Sequence, residues 1–229
     1  MDQNSRDLQY HDFFLDALDK DLVASPDWKL FSESWGDLKQ DDYMADGGVY
    51  RFRRYSEFQI DLADLAISVL PHVPYKQTLE NNYLNGGIDR LYSPMREDIQ
   101  TNRAFRHAIF RCAEVMLPLQ TSTKWTVRVF QNRIFAKSGM LGKPTPEGVH
   151  RDGADYIMTL LVKRHNVTGG KSSVYEDDGI TMKASATLAE PGDYIFLNDQ
   201  KVRHGVEPIA CSDPSIEGYR DMLIVMFSQ

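Results

Sequence analysis

The spacing of apolar positions changes near residue 124. Upstream of it, Phe13, Phe14, Leu18 and Leu22 fall near helical spacing with Asp and Lys between them, so the first forty residues read as helical. Ser25-Pro26 supplies an N-cap followed by proline at the first helical position. It opens a second helix through Trp28, Leu30, Phe31, Trp35 and Leu38. Gly47-Gly48 ends that pattern, and Val49 to Tyr55 then alternates apolar or aromatic residues with basic ones, which predicts a strand. Pro71 and Pro74 punctuate a loop, and Asn81 to Gly87 is rich in turn residues. A helix is expected over roughly 102–116, with Phe105, Ile109, Cys112 and Met116 near one stripe. Downstream, Trp125 to Phe130, Tyr156 to Val162, Ser173 to Tyr175, Tyr194 to Leu197 and Tyr219 to Phe227 read as strands. Glycine, proline and aspartate turns at Gly169-Gly170, Asp178-Gly179, Pro191-Gly192 and Asp213-Pro214 separate them.

Short, evenly punctuated strands point to a sandwich or barrel. The expectation is a mainly β chain with flanking α: a double-stranded β-helix (jelly-roll or cupin-like) barrel over 120–229, buttressed by a helical segment over 1–45. No repeat or linker divides the 229 residues, so one domain is expected. A net charge of -7 argues against nucleic acid or an anionic membrane as partner. The N-terminus lacks a basic region followed by an apolar stretch, and no run of about 18 apolar residues occurs. The two cysteines, Cys112 and Cys211, cannot staple a secreted scaffold. A soluble, cytoplasmic protein is expected.

Chemistry concentrates in His150-Arg151-Asp152. Residues i and i+2 of an extended segment point the same way, so His150 and Asp152 form a pair, and a second imidazole from a distant strand completes a 2-His-1-carboxylate set. Such a set occupies one face of an octahedral ion and leaves three positions open, as a non-haem ferrous oxygenase needs. His204, in Val202 to Pro208 after the turn Pro191-Gly192-Asp193, is the candidate for the second histidine. Gly205 beside it permits close backbone approach. The plainer alternatives are a surface His150 with Asp152-Gly153 as an ordinary turn, and His165 as competitor, although Lys163 to Asn166 reads as a solvated strand end. Period two places Arg220 with Met222, Ile224 and Met226. An arginine on that inward face needs an anion, and its planar fork suits a carboxylate; the alternative is a guanidinium turned outward at the strand's start. His150-Arg151-Asp152 also mimics a protein-kinase catalytic loop, but the asparagine and the Asp-Phe-Gly that loop requires are missing.

The string Pro144-Thr145-Pro146-Glu147-Gly148-Val149-His150-Arg151-Asp152-Gly153 resembles the signature of the 2-oxoglutarate/iron oxygenases typified by bacterial L-isoleucine 4-hydroxylase. The likeness extends to Asn85 to Arg90, Gln131 to Ala136, His204 to Ile209 and Arg220, and so covers most of the chain from Gly48 to Phe227. The resemblance implies Fe2+ held by His150, Asp152 and His204, with 2-oxoglutarate anchored by Arg220. It also implies a dioxygenase that hydroxylates an unactivated C–H bond of a free, aliphatic or cyclic amino acid, releasing succinate and carbon dioxide. Arg133, just before the signature, is the candidate for the substrate carboxylate, or else a solvated strand-end arginine. Glu147 is the candidate for the ammonium group, or else only shapes its loop. Thr159 offers a hydroxyl to 2-oxoglutarate. Two rivals remain: a cupin-type metal enzyme that does not use 2-oxoglutarate, and a barrel that binds a metal or small molecule without catalysis.

Overall fold

The computed structural model describes residues 1–229 except Asn81, Tyr83 and Asn85, which belong to the turn-rich stretch singled out above and lie outside the described residues. The helices among the described residues are α1 (Gln3–His11), α2 (Lys20–Val23), α3 (Pro26–Glu33), α4 (Glu97–Gln100) and α5 (Arg103–Met116). The strands begin with β1 (Phe13–Ala17), β2 (Lys39–Gln40), β3 (Arg51–Asp61), β4 (Ala66–Val69), β5 (Lys124–Ala136) and β6 (Tyr156–His165). They continue as β7 (Val167–Gly169), β8 (Ser172–Tyr175), β9 (Met182–Ala186), β10 (Asp193–Asn198), β11 (Arg203–Val206), β12 (Ile209–Cys211) and β13 (Gly218–Ser228). One large antiparallel sheet runs β1-β10-β6-β13-β5-β3-β2, with β4 paired to β3; a second has the order β11-β8-β9, and β12 pairs with β7. The architecture is mainly β with flanking helices, consistent with the expected jelly-roll-like layout.

Strand alternation gives the large sheet two chemically different faces. Val127, Val129, Met158, Leu160, Leu223, Val225 and Phe227 point to one side and form a core with Phe31 and Trp35, and with Phe105, Ile109 and Cys112 of α5. The intervening residues Phe130, Ile157, Leu161, Met222 and Met226 point to the other side, toward Val174 of β8. The helices therefore cover the back of the sheet and leave its front for the smaller sheet. Both helix starts expected from the sequence are capped: Trp28 N–H donates to Ser25 Oγ, and Phe105 N–H donates to Asn102 Oδ1.

The expectation of a helical first forty residues is corrected in part. Phe13–Ala17 is a strand, paired from Phe13↔Leu197 to Ala17↔Asp193 along the edge of β10. α1 stops because Asp12 adopts a left-handed conformation, φ 70°. Phe14 then packs edge-on against Tyr194, with ring centroids 5.9 Å apart. A short apolar run fits either period, and here the open edge of β10 decides. The second helix also ends earlier than expected, at Glu33, and continues as a 3-10 turn over Ser34–Asp37 that carries Trp35.

Candidate active site

His150 and His204, far apart in sequence, are directly opposed in an isolated antiparallel bridge. His150 N–H donates to the His204 carbonyl at 2.9 Å, and His204 N–H donates to the His150 carbonyl at 3.0 Å. Opposed residues present their side chains to one face, so the imidazole centroids come to 4.6 Å. Gly205 eases the approach: a Cβ there would lie 3.3 Å from Val149 Cγ2 and 3.4 Å from its Cα, tight enough for the valine to have to yield. Asp152, two residues after His150, reaches both rings, with Oδ1 3.5 Å from His150 Nε2 and Oδ2 3.4 Å from His204 Nε2. One ligating atom from each of the three lies within 4.8 Å of the other two, the spacing of a single metal ion's ligands. Gly153, just after Asp152, sits in a bend with φ 85°.

The groups behind the cluster fix its orientation. His150 Nδ1–H donates to the Gly148 carbonyl at 3.0 Å, which leaves Nε2 to face the cluster. Asp199, fully buried, accepts from the backbone N–H groups of Asp152 (3.2 Å), Gly153 (2.8 Å) and Ala154 (3.0 Å). Its Oδ1 lies 3.9 Å from His204 Nδ1. Burial alone would raise the Asp152 carboxyl, but hydrogen bonds and charge from His150 and His204 hold it well below the usual range. Burial likewise opposes a charged His150, and Asp152 and Glu147 reverse that and push it up to about 9. Compact negative charge facing two imidazoles is a donor set that fits a divalent cation.

A cavity opens in front of the cluster, between the front face of the large sheet and β8 and β11. Arg220 projects into it from β13, in the file with Met222, Ile224 and Met226 that alternation predicted. The side chain is 2% exposed, and its Nε and Nη2 have no hydrogen-bond partner. Burial, together with the neighbouring Arg164, presses its pKa well below the ordinary arginine value. A bulge between Asp221 and Met222 shifts the β6 register and sets Arg164 opposite Arg220. Arg220 is thus a buried cation facing a second cation, without an anion. The open face of the cluster and this unpaired fork together fit a metal and a carboxylate-bearing co-substrate. Thr159, paired with Ile224, lines the same cavity. Glu147 does so too, with Oε1 3.5 Å from His150 Nε2 and Oε2 buried without a partner.

Arg133 is the exception, and its expected role as a substrate-carboxylate ligand is corrected here. Alternation along β5 puts Phe130, Asn132 and Ile134 in the cavity and turns Arg133 to the opposite face. There its Nε and Nη2 donate to Asp221 Oδ1 and Oδ2 at 2.6 and 2.7 Å, and its guanidinium lies 4.1 Å from the Tyr219 ring centroid. Asp221 is wholly buried, so Arg133→Ala strands a carboxylate. The variant is expected to lose about 3–5 kcal/mol of stability, read as a lowered Tm, whereas wild-type stability with a selective rise in substrate KM would restore the original role.

Sequence reasoning missed three cavity arginines. Arg51 and Arg53 of β3 share the buried Asp41, with Nε–Oδ2 distances of 2.8 and 3.1 Å. Arg90 donates to Gln77 Oε1 at 2.9 Å, and Gln77 Nε2 donates to the Asp152 carbonyl at 3.1 Å. The signal was present in the alternation: Arg51 and Arg53 share parity with Tyr55, whereas Phe52 and Arg54 take the other face. Cys112 and Cys211 are free, and no helix among the described residues is long and apolar enough to cross a membrane.

Comparison with known proteins agrees with this geometry. The family model for 2OG-Fe dioxygenases matches residues 32–226. A BsmA homologue from Methylobium petroleophilum superposes with a TM-score of 0.87 at 26% identity, covering 99% of this chain and 92% of that one. IDO from Bacillus thuringiensis gives a TM-score of 0.80 at 16% identity over 99% and 97% of the two chains. The Fe(II)/α-ketoglutarate-dependent dioxygenase TqaL gives 0.76 at 17% over 99% and 85%. At these lower identities the likeness speaks to fold. In sequence, the bifunctional enzyme FlvA of Aspergillus flavus is 26% identical over 202 residues, 77% of this chain. The chain spans only 24% of that protein's length.

Proposed function

The chain belongs to the 2OG-Fe dioxygenase family and uses Fe2+ and 2-oxoglutarate; from that premise we propose that it hydroxylates an unactivated C–H bond of a free aliphatic or cyclic amino acid. When bound, the metal and 2-oxoglutarate supply the oxidising chemistry: one atom of O2 enters succinate as carbon dioxide leaves, and the other enters the substrate's C–H bond. In this proposal His150, Asp152 and His204 hold the iron, and the chain acts as one oxygenase unit. Arg220 receives the far carboxylate of 2-oxoglutarate, and the Thr159 hydroxyl lies along the same wall. Glu147, next to His150, takes the substrate ammonium. Met222, Ile224, Met226 and Phe130 supply an apolar surround that excludes water and packs on an aliphatic side chain.

The observation that carries the reading is the meeting, in one cavity, of the His-Asp-His cluster with the unpartnered Arg220. The amino acid assignment draws its support from the signature string around His150 and from a cavity that presents both signs of charge. That pairing suits a zwitterion better than a neutral or purely anionic molecule. The test is succinate formation screened over free L-amino acids with Fe2+ and 2-oxoglutarate. An aliphatic or cyclic member is expected to stimulate release together with a product heavier by one oxygen. Stimulation only by molecules without an α-amino group would refute the substrate class.

Asp199 gives a further expectation. It ties down the backbone that carries Asp152, as groups that orient metal ligands do, and losing such a group costs about 10–100-fold in metal affinity. Asp199→Ala is expected to weaken Fe2+ binding by that factor in an anaerobic titration. Unaltered affinity would remove Asp199 from the support of the site.

A further inference from the structure

Once Arg133 is turned away, the cavity still holds a buried cation that the metal and the co-substrate leave unused. We infer that Arg53, steadied by Asp41 and Arg51, receives the substrate's carboxylate and so makes the enzyme selective for free acids over their amides and esters; the inference rests on the amino acid reading above.

The charges there suit a zwitterion. Arg51 and Arg53 share the buried carboxylate of Asp41, and the other carboxylate acting on both is Glu147, the group assigned to the substrate ammonium. Arg51 Nε donates to Asp41 Oδ2 in a directed hydrogen bond, whereas Arg53 Nε lies 3.1 Å from the same atom without one and is left without a hydrogen-bond partner. Arg53 is 7% exposed and lines the cavity. Burial opposes its charge, and Asp41 together with Tyr92, Tyr75 and Glu147 more than restores it.

The geometry makes it a receptor and not a filler. The Arg53 guanidinium carbon lies 5.1 Å from the Tyr92 ring centroid and 5.0 Å from that of Phe130, so two aromatic faces hold the planar fork before a ligand arrives. Its strand lies between β5 and the short edge strand β2, with Arg53 in register with Asn132 and, across β5, with Met222. Arg51 stands one step along, in register with Ile134 and Arg220. The 2-oxoglutarate end and the Arg53 end are therefore successive inward-facing rows of one sheet. Glu147, 3.5 Å from His150 Nε2, also adds to the field that keeps Arg53 charged. A molecule with its carboxylate on Arg53 and its ammonium on Glu147 brings its side chain to the metal cluster. Arg90 is the weaker alternative, because Gln77 already takes its Nη2.

The test is equilibrium binding without oxygen, so that no turnover intervenes. The protein loaded with Fe2+ and 2-oxoglutarate is titrated calorimetrically with L-isoleucine, L-leucine, L-valine, L-proline and L-pipecolate, and with the carboxamide of each. Wild type is expected to bind its preferred acid about 100-fold more tightly than the amide, the effect of a charge-assisted bidentate contact in a desolvated site. Arg53→Lys keeps the charge but loses the fork. It is expected to weaken the acid by about that factor, change the amide only a few-fold and leave the 2-oxoglutarate Kd as in wild type; Arg53→Gln is expected to do the same. Equal weakening of acid and amide would make Arg53 a packing residue and overturn the inference while the amino acid reading stands. Should both variants fail to fold, the wild-type comparison decides, and indifference to amidation overturns it. If no acid in the panel binds wild type, the substrate reading fails and the inference falls with it.

Discussion

Arg220→Met is expected to raise the 2-oxoglutarate requirement by two to three orders of magnitude while leaving the ligand-free protein at least as stable as wild type. Both halves follow from one observation. The guanidinium is buried, its Nε and Nη2 have no partner, and its nearest charge is Arg164. Breaking a buried charge pair costs about 3–5 kcal/mol, so the liganded state loses that contact in full. The free state has no such contact to lose. It sheds a cation that the fold keeps unpaired, and methionine fills the same volume. Arg220→Ala is expected to match the loss of affinity, with a cavity penalty added to stability. The measurements are the 2-oxoglutarate dependence of succinate release and denaturant unfolding of the apo proteins. A normal 2-oxoglutarate dependence would place the anchor elsewhere in the cavity.

Replacing either histidine is expected to have the largest effect on turnover. His150→Ala and His204→Ala are each expected to abolish detectable activity and to emerge from gel filtration without iron, while still unfolding cooperatively. Each leaves a two-ligand site, and the backbone bridge that opposes the two residues does not depend on their side chains. Asp152→Glu is also expected to be inactive, because one methylene displaces the carboxylate by more than a metal–oxygen bond tolerates. Its backbone would remain tied to Asp199. Full activity of either alanine variant in iron-supplemented buffer would remove that histidine from the site.

How much of this was legible depended on whether the chemistry followed strand alternation. His150 and Asp152 share a face because they are two residues apart on extended backbone. The inward file Arg220, Met222, Ile224, Met226 was readable for the same reason. Pairing His204 with His150 needed more than period: the contact is a tertiary bridge, hinted at by the turn Pro191-Gly192-Asp193, by Gly205 beside the histidine, packed close to Val149, and by the resemblance. The Arg133 error came from ending the strand at Phe130. Carried on to Ala136, the same alternation puts Arg133 with Trp125, Val127 and Val129, away from the cavity. Arg51 and Arg53 were missed because basic residues in an alternating strand normally mark its wet face. Here their neutralising partner, Asp41, arrives from a separate segment before the strand, which no local pattern announces. Phe13–Ala17 failed for a related reason, since its state was set by the free edge of β10 and not by its own spacing.

The central claim is that this cavity couples 2-oxoglutarate oxidation to oxygen insertion into a free amino acid. It is tested most directly by turnover under isotopically heavy dioxygen, with product and succinate quantified together by mass spectrometry. The account predicts one heavy oxygen in the hydroxylated amino acid, one in succinate, and equal amounts of the two products. Succinate release that no free amino acid stimulates, or a hydroxyl whose oxygen comes from water, would contradict it.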